Sequence, residues 1–421
     1  MTDDVRAQDP GRDERSRTDP MPMVRPPQLN TEREGNATRL ELFFDLAYVL
    51  VVMELVATFV EDVSWHGLLV LAGLFVTMWF SWVGYTLYAN RFDTDDVVFR
   101  VAKLLATMAV AGCAASASGA TGKHAVAFAL SFVLGRLILL LLYVRAWQHV
   151  EGARPTIRVY LLCLSVASAL WLASLAVPVE ARPWVWAAAV LVDAVGPVLA
   201  TLREDRLPLH IEHLPERFSL LVILVLGEAV GGSVRGVHDA GWSASAVLIG
   251  VAGFVVAGAL WWIYFDVGGD RSAGELEHIA EKEPAAGDSE AGEESNATDE
   301  RHDLFVYGHL PITFGIVLAG VGVEELALHP TDALSSPYGW LLAGGVALFL
   351  VGVAMILGGT FRSWRALWPW PAAVLPVVLV AAVVPHSSGL LLTAGFAVGL
   401  VLVAVSGTRR SRARSRDAIT D

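Results

Sequence analysis

The chain has 421 residues, 55% hydrophobic and only 17% charged, with a mean hydropathy of +0.54. Soluble domains carry about 25% charged residues, so this composition excludes a disordered chain, a collagen or a disulfide scaffold and argues against a soluble enzyme. The formal charge of −13 is local: twelve acidic residues between Asp270 and Asp303 face only Arg271, Lys282 and Arg301, and no basic face suited to nucleic acid stands out.

Residues 1–38 are polar, rich in Asp, Arg and Pro, and hold no short apolar run of the signal-peptide kind. They read as a disordered cytoplasmic tail. A helix needs about 20 apolar residues to cross a bilayer. Such runs lie near 40–60, 66–89, 98–119, 124–147, 156–177, 184–203, 216–234, 244–267, 304–327, 338–358, 365–385 and 388–407. The expectation is therefore an all-α polytopic membrane bundle of twelve helices, spans 1–8 within 39–267 and spans 9–12 within 304–407. The acidic stretch 268–303 lacks aromatic residues, cannot bury a core, and reads as a disordered cytoplasmic loop. Residues 408–421 form a basic tail. Cys113 and Cys163 sit in apolar runs and suggest neither a disulfide nor a metal site.

Loops after even-numbered spans hold eleven Lys and Arg residues, against Lys123, Arg182 and Arg235 after odd-numbered ones. The positive-inside rule then places both termini in the cytoplasm. Arg409, Arg410, Arg412, Arg414 and Arg416 suit anionic lipid head groups, although a plain topology signal explains them as well. A parallel 6+6 repeat is suggested by two spacings: Glu54 to Phe92-Asp93, and Glu228 to Phe265-Asp266, each with Trp pairs (Trp79 and Trp82; Trp261 and Trp262) ahead of the Phe-Asp.

Ionised groups at membrane depth are costly and usually face a bundle interior. Glu41 and Asp45 share one face of span 1, and Glu54 lies about 180° round and ~13 Å further along. Span 1 is thus expected to be a central helix surrounded by protein. Arg136, Asp193 and Glu228 fall near the middles of spans 4, 6 and 7, while Arg100, Lys103 and Arg217 lie at span starts. The simplest arrangement pairs Arg136 with Glu54, Asp193 or Glu228. One arginine cannot neutralise three acids, so a protonated or solvated carboxyl is expected, a candidate proton or cation carrier. A static ion-pair scaffold is the competing explanation.

Gly227, Gly231 and Gly232 around Glu228 permit either close helix packing or a local break that exposes carbonyls. His309, beside Tyr307 and Pro311, could relay protons, though a lone His is more often structural. In the loop Asn90 to Asp96, three acids beside Arg91 could bind a cation or clamp Arg100 and Lys103; the competing explanation, an Asp or Thr as N-cap of span 3 with acids near its dipole, suits Thr94 and Asp95 better than Arg91 and Asp93, which stay supporting site candidates.

Several of these residues fall in motifs: Arg39-Leu40-Glu41-Leu42-Phe43-Phe44-Asp45-Leu46, Tyr88 to Asp96, Glu216-Arg217-Phe218 with Leu226-Gly227-Glu228, Trp261 to Asp266, and Tyr307-Gly308-His309-Leu310-Pro311. In this order they resemble the bacterial low temperature requirement protein A family. The resemblance implies a multi-pass inner-membrane protein linked by name to growth in the cold, with Arg39, Arg91, Asp93, Arg217, Asp266 and His309 as motif residues. Ala229 departs from the Ser that commonly follows Leu-Gly-Glu in that family. A shorter likeness, Arg39-x-x-x-Phe43-x-Asp45, is similar to a signature of the lysosomal and bacterial potassium channels with two six-span repeats, with Phe44 in place of Ser.

The leading functional expectation is a transporter or permeation protein in the lipid bilayer of the plasma membrane. An unidentified ion or small solute would be handled by Glu41, Asp45, Glu54, Asp193 and Glu228, with Arg136 as counter-charge. The alternatives are a non-transporting membrane component with a structural charge network, and an ion channel. No catalytic constellation, cofactor or metal is expected, since the sequence holds no Gly-x-Ser-x-Gly, His-Glu-x-x-His or P-loop motif.

Overall fold

In hydrocarbon a peptide can satisfy its backbone N–H and C=O groups only within itself, so the apolar runs fold as helices. A computed structural model describes residues 23–29, 38–201, 213–269, 291–331, 337–361 and 388–420. In chain order its helices are α1 (Arg39–Val60), α2 (Trp65–Arg91), α3 (Val97–Ser116), α4 (Ala125–His149), α5 (Arg154–Ala173) and α6 (Arg182–Thr201). There follow α7 (His213–Asp239), α8 (Ala244–Trp262), α9 (Ala291–Leu328), α10 (Pro337–Phe361) and α11 (Gly389–Thr420). Among the described residues, 10 helical stretches are long and apolar enough to cross a membrane. The expected sixth span is the helix α6, which is not among those 10, and the expected run 365–385 lies outside the described residues. A polytopic helix bundle stands; a count of twelve is not established.

Three boundaries move. Residues 23–29 belong to the tail expected to be disordered, yet β1 (Gln28–Leu29) pairs antiparallel with β2 (Phe92–Asp93), Leu29 opposite Phe92. Helix α9 begins at Ala291, inside the loop expected to lack structure, and α11 continues through the basic tail to Thr420. The repeat gains no support from its Phe-Asp copies. Phe92-Asp93 is a strand, whereas Phe265-Asp266 lies in a π-helical segment, Ile263–Gly269, after α8.

Local signals set the helix starts. Thr38 and Glu41 form a capping box on α1, with Thr38 N–H donating to Glu41 Oε2 at 2.9 Å. The cap of α3 is Asp96, which accepts from Phe99 N–H at 2.8 Å, and not Thr94 or Asp95. Asp95 holds Arg100 at 2.9 Å, the clamp expected of a loop acid, while among the described residues Lys103 is not reached by these acids.

The central helix is α2 and not α1. Every residue from Thr77 to Val83 is buried, which needs neighbours on all sides. On α1, by contrast, Phe43, Leu46, Leu50 and Met53 form an exposed apolar stripe at helical spacing, the pattern of a face against lipid. Helix α9 packs most extensively on α10 and α7. Glycine permits this: a Cβ on Gly315 would stand 2.5 Å from Gly345 O, and one on Gly320 would stand 2.7 Å from Ala229 Cα.

Candidate functional site

The ionisable groups do not meet at one point. Among the described residues, most of the buried ones fall in three networks inside the bundle and a fourth at its edge, and buried Glu325 lies 3.6 Å from His329 apart from these.

The first joins four helices near the start of α1. Glu41 and Asp45, one turn apart on α1, both face Arg217 of α7, at 2.6 Å and 2.9 Å. Trp82 Nε1 of α2 donates to Asp45 Oδ1 at 2.8 Å. Lys103 of α3 is fully buried, its ammonium 3.7 Å from the centroid of the Phe44 ring. Lys103 Nζ and Asp45 Oδ2 are both buried without a hydrogen-bond partner. Two acids against two bases leave this network neutral overall. The expected shared face of Glu41 and Asp45 is what lets one guanidinium reach both.

The second network is a buried ion pair between Arg136 of α4 and Asp193 of α6. Of the three acids open to Arg136 in the sequence, Asp193 is the one it meets. Phe132, one turn before Arg136, contributes a ring face 5.8 Å away.

The third lies towards the far end of α7. Arg235 bonds Glu228 at 2.7 Å on its own helix and Glu324 of α9 at 2.8 Å. Glu228 and Arg235 are seven residues apart, two turns, and so share a face. The helix is unbroken here, so the glycines serve packing: a Cβ on Gly232 would lie 2.9 Å from Gly320 O, and one on Gly236 2.9 Å from Glu324 O. Arg235, expected in a loop, is a helical residue. Glu324 carried no sequence motif; its signal was a charge pair, Glu324-Glu325, inside an otherwise apolar run. Arg217 and Glu228 are eleven residues apart on one helix, ~16 Å of rise, which separates the first and third networks.

The edge network ties the N-terminal segment to the bundle. Arg145 of α4 bonds Asp96 Oδ2 and the carbonyl of Arg25, both at 2.5 Å, and Arg25 N–H donates to Asp96 Oδ2 at 2.8 Å. Burial pushes the Asp96 carboxyl up, but the bonds from Arg145, Arg25 and Phe99 outweigh it and hold it below the ordinary carboxylate range.

The remaining expected residues scatter. Glu54 is exposed on the lipid-facing side of α1, beside Met53 and far round from Asp45, which overturns its expected place at the heart of the bundle. Arg39 and Asp266 are exposed. Arg91 is buried and donates to Tyr160 OH at 2.8 Å. Asp93 lies in β2, and its side chain is outside the described residues. His309 is fully buried: Nδ1 lies 2.7 Å from Phe305 O, so it carries the proton, and Nε2 accepts from Tyr264 OH at 2.8 Å. Both nitrogens are spent in packing bonds, which fits the structural role.

A curated relative, an uncharacterized protein of Rhizobium meliloti (strain 1021), is 26% identical over 334 residues, 77% of either chain. No solved structure matches. The pattern of the bacterial low temperature requirement A protein (LtrA) family matches residues 36–406, which takes in all three membrane-embedded networks, and the chain belongs to that family.

Proposed function

We propose that this LtrA-family chain is a permeation protein, not an enzyme, that handles a proton or small cation at Glu228, Arg235 and Glu324. One observation carries the reading. A single guanidinium sits between two carboxylates on neighbouring membrane helices, so the triad holds an excess negative charge. In a medium of low dielectric that charge is compensated by a bound proton or cation. Arg235 is 38% exposed on its side chain and lies one turn from the end of α7, whereas the Arg136–Asp193 pair is buried. The chain sits in the plasma membrane with both termini in the cytoplasm, and the basic end of α11 rests on anionic head groups.

The test is flux in proteoliposomes. Glu228→Gln leaves Arg235 and Glu324 as a one-to-one pair, so the fold is retained while the excess charge is gone. Ion flux is expected in the wild type and lost in the variant; equal flux in both sinks the assignment.

A second reading, a charge scaffold without transport, is favoured by the other two networks. Arg136 with Asp193, and Arg217 and Lys103 with Glu41 and Asp45, balance their charges.

A further inference from the structure

A cavity of about 960 Å³ lies between α2 and α6, apart from every charge network. Its volume is that of a site for a sizeable organic molecule, in the range of roughly 300–1,000 Å³. It exists because small residues leave the space between the two helices unfilled. Gly73 of α2 and Ala187 of α6 line it, and a Cβ on Gly73 would find nothing within 4 Å.

Polarity in the lining is graded. His66, Thr121 and Glu180 are at the mouth, where α1 ends and α2 begins, and the walls below are almost wholly apolar. Thr77, at the deep end, spends its hydroxyl on Gly73 O at 2.8 Å. From His66 to Thr77 is eleven residues, ~16 Å of helix rise. That is about half of the ~30 Å hydrocarbon thickness, the depth of one leaflet. Trp65 and Trp184 stand at the mouth, 81% and 78% exposed, where tryptophans mark the interface between head groups and chains. The flanking Leu69 and Leu191 are 72% and 65% exposed, so the cavity opens sideways towards the bilayer. Glu180 is an exposed carboxylate at head-group level.

We propose that this cavity holds one acyl chain of a membrane phospholipid from the leaflet at this end of the bundle, with an amine-bearing head group against Glu180. An apolar slot one leaflet deep, open to the side and with one exposed carboxylate at its rim, matches a chain below and an ammonium above.

The experiment uses the full chain in bilayers of equal phosphatidylethanolamine and phosphatidylglycerol, extracted in mild detergent, with retained lipid counted by native mass spectrometry. The wild type is expected to keep one phosphatidylethanolamine per chain. Gly73→Leu, which fills the slot from α2, and Ala187→Phe, which fills it from α6, each weaken retention by at least about tenfold. Gly395→Leu, at an exposed glycine of α11 that is equally open, retains lipid as the wild type does. Glu180→Gln keeps a lipid but loses the preference for the amine. Thermal unfolding checks each fold, and if Gly73→Leu does not fold, Ala187→Phe decides. The proposal is overturned if both filled variants retain lipid normally, if the wild type keeps none, or if it keeps phosphatidylglycerol equally well.

Discussion

Arg235 of α7 and Glu324 of α9 face each other through two contacts, Nε to Oε1 at 3.0 Å and a terminal nitrogen to Oε2 at 2.8 Å. This paired geometry fixes the guanidinium plane, whereas Glu228 takes a single bond from the same nitrogen. Glu324 is therefore the structural partner of Arg235, and Glu228 is the acid in excess. Removing Arg235 strands both acids. Arg235→Gln should cost about 1–3 kcal/mol, below the ~3–5 kcal/mol of a fully buried pair because the arginine is partly exposed. A double-mutant cycle by thermal unfolding should find stronger coupling of Arg235 to Glu324 than to Glu228; the reverse order would contradict the assignment of roles.

The first network predicts a ranking. Arg217→Met leaves buried Asp45 and half-buried Glu41 without their shared partner, a loss of about 3–5 kcal/mol. Lys103→Met keeps the stem and gives up an ammonium whose visible partners are aromatic faces, a loss of about 1–2 kcal/mol. Denaturation in detergent that found Lys103→Met the more damaging would show that the lysine pairs with an acid in solution.

Helix α9 predicts a position-specific steric effect. Gly315→Ala drives a methyl into Gly345 O and Phe349 N, both 2.5 Å from the new carbon, and should cost about 1–3 kcal/mol. Gly344→Ala, on α10 next to the contact but with nothing within 4 Å, should be neutral or slightly stabilising. Equal effects at the two sites would mean that α9 and α10 are not so closely packed.

Asp96 predicts a pH dependence. Its carboxyl is held below the ordinary range in the folded chain, so the stability it supplies is fully present above the unfolded carboxylate pKa. That stability fades as pH falls through the lower folded value. Asp96→Asn should be less stable than the wild type at neutral pH by about 1.5–3 kcal/mol, the worth of bonds to a charged group. The gap should close in acid. A gap independent of pH would place the contribution in shape and not in charge.

Much of the bundle was legible because its cause is local. Hydropathy located the helices, and the spacing of Glu41 and Asp45 put them on one face. The error at α1 shows where such reasoning stops. A helical wheel places Glu54 opposite Asp45 but does not say whether that side meets protein or lipid; the Phe43, Leu46, Leu50 and Met53 stripe shows lipid. Arg235 was hidden for a different reason. The run Gly231-Gly232-Ser233 looks like a helix end, yet Gly232 and Gly236 keep α7 helical because α9 packs directly on them. Arg217 and Asp45 are 172 residues apart, and such a pairing depends on how helices are ordered in the membrane, which periodicity does not carry.

The most direct test is ion flux into proteoliposomes, driven by a membrane potential and read with a pH dye and a monovalent-cation indicator. The account predicts flux in the wild type, its loss in Glu228→Gln, and its survival in Gly344→Ala, at an exposed glycine of α10 where a new Cβ meets nothing within 4 Å. Flux that persists undiminished in Glu228→Gln, or a correctly folded wild type that passes neither protons nor cations, would contradict it.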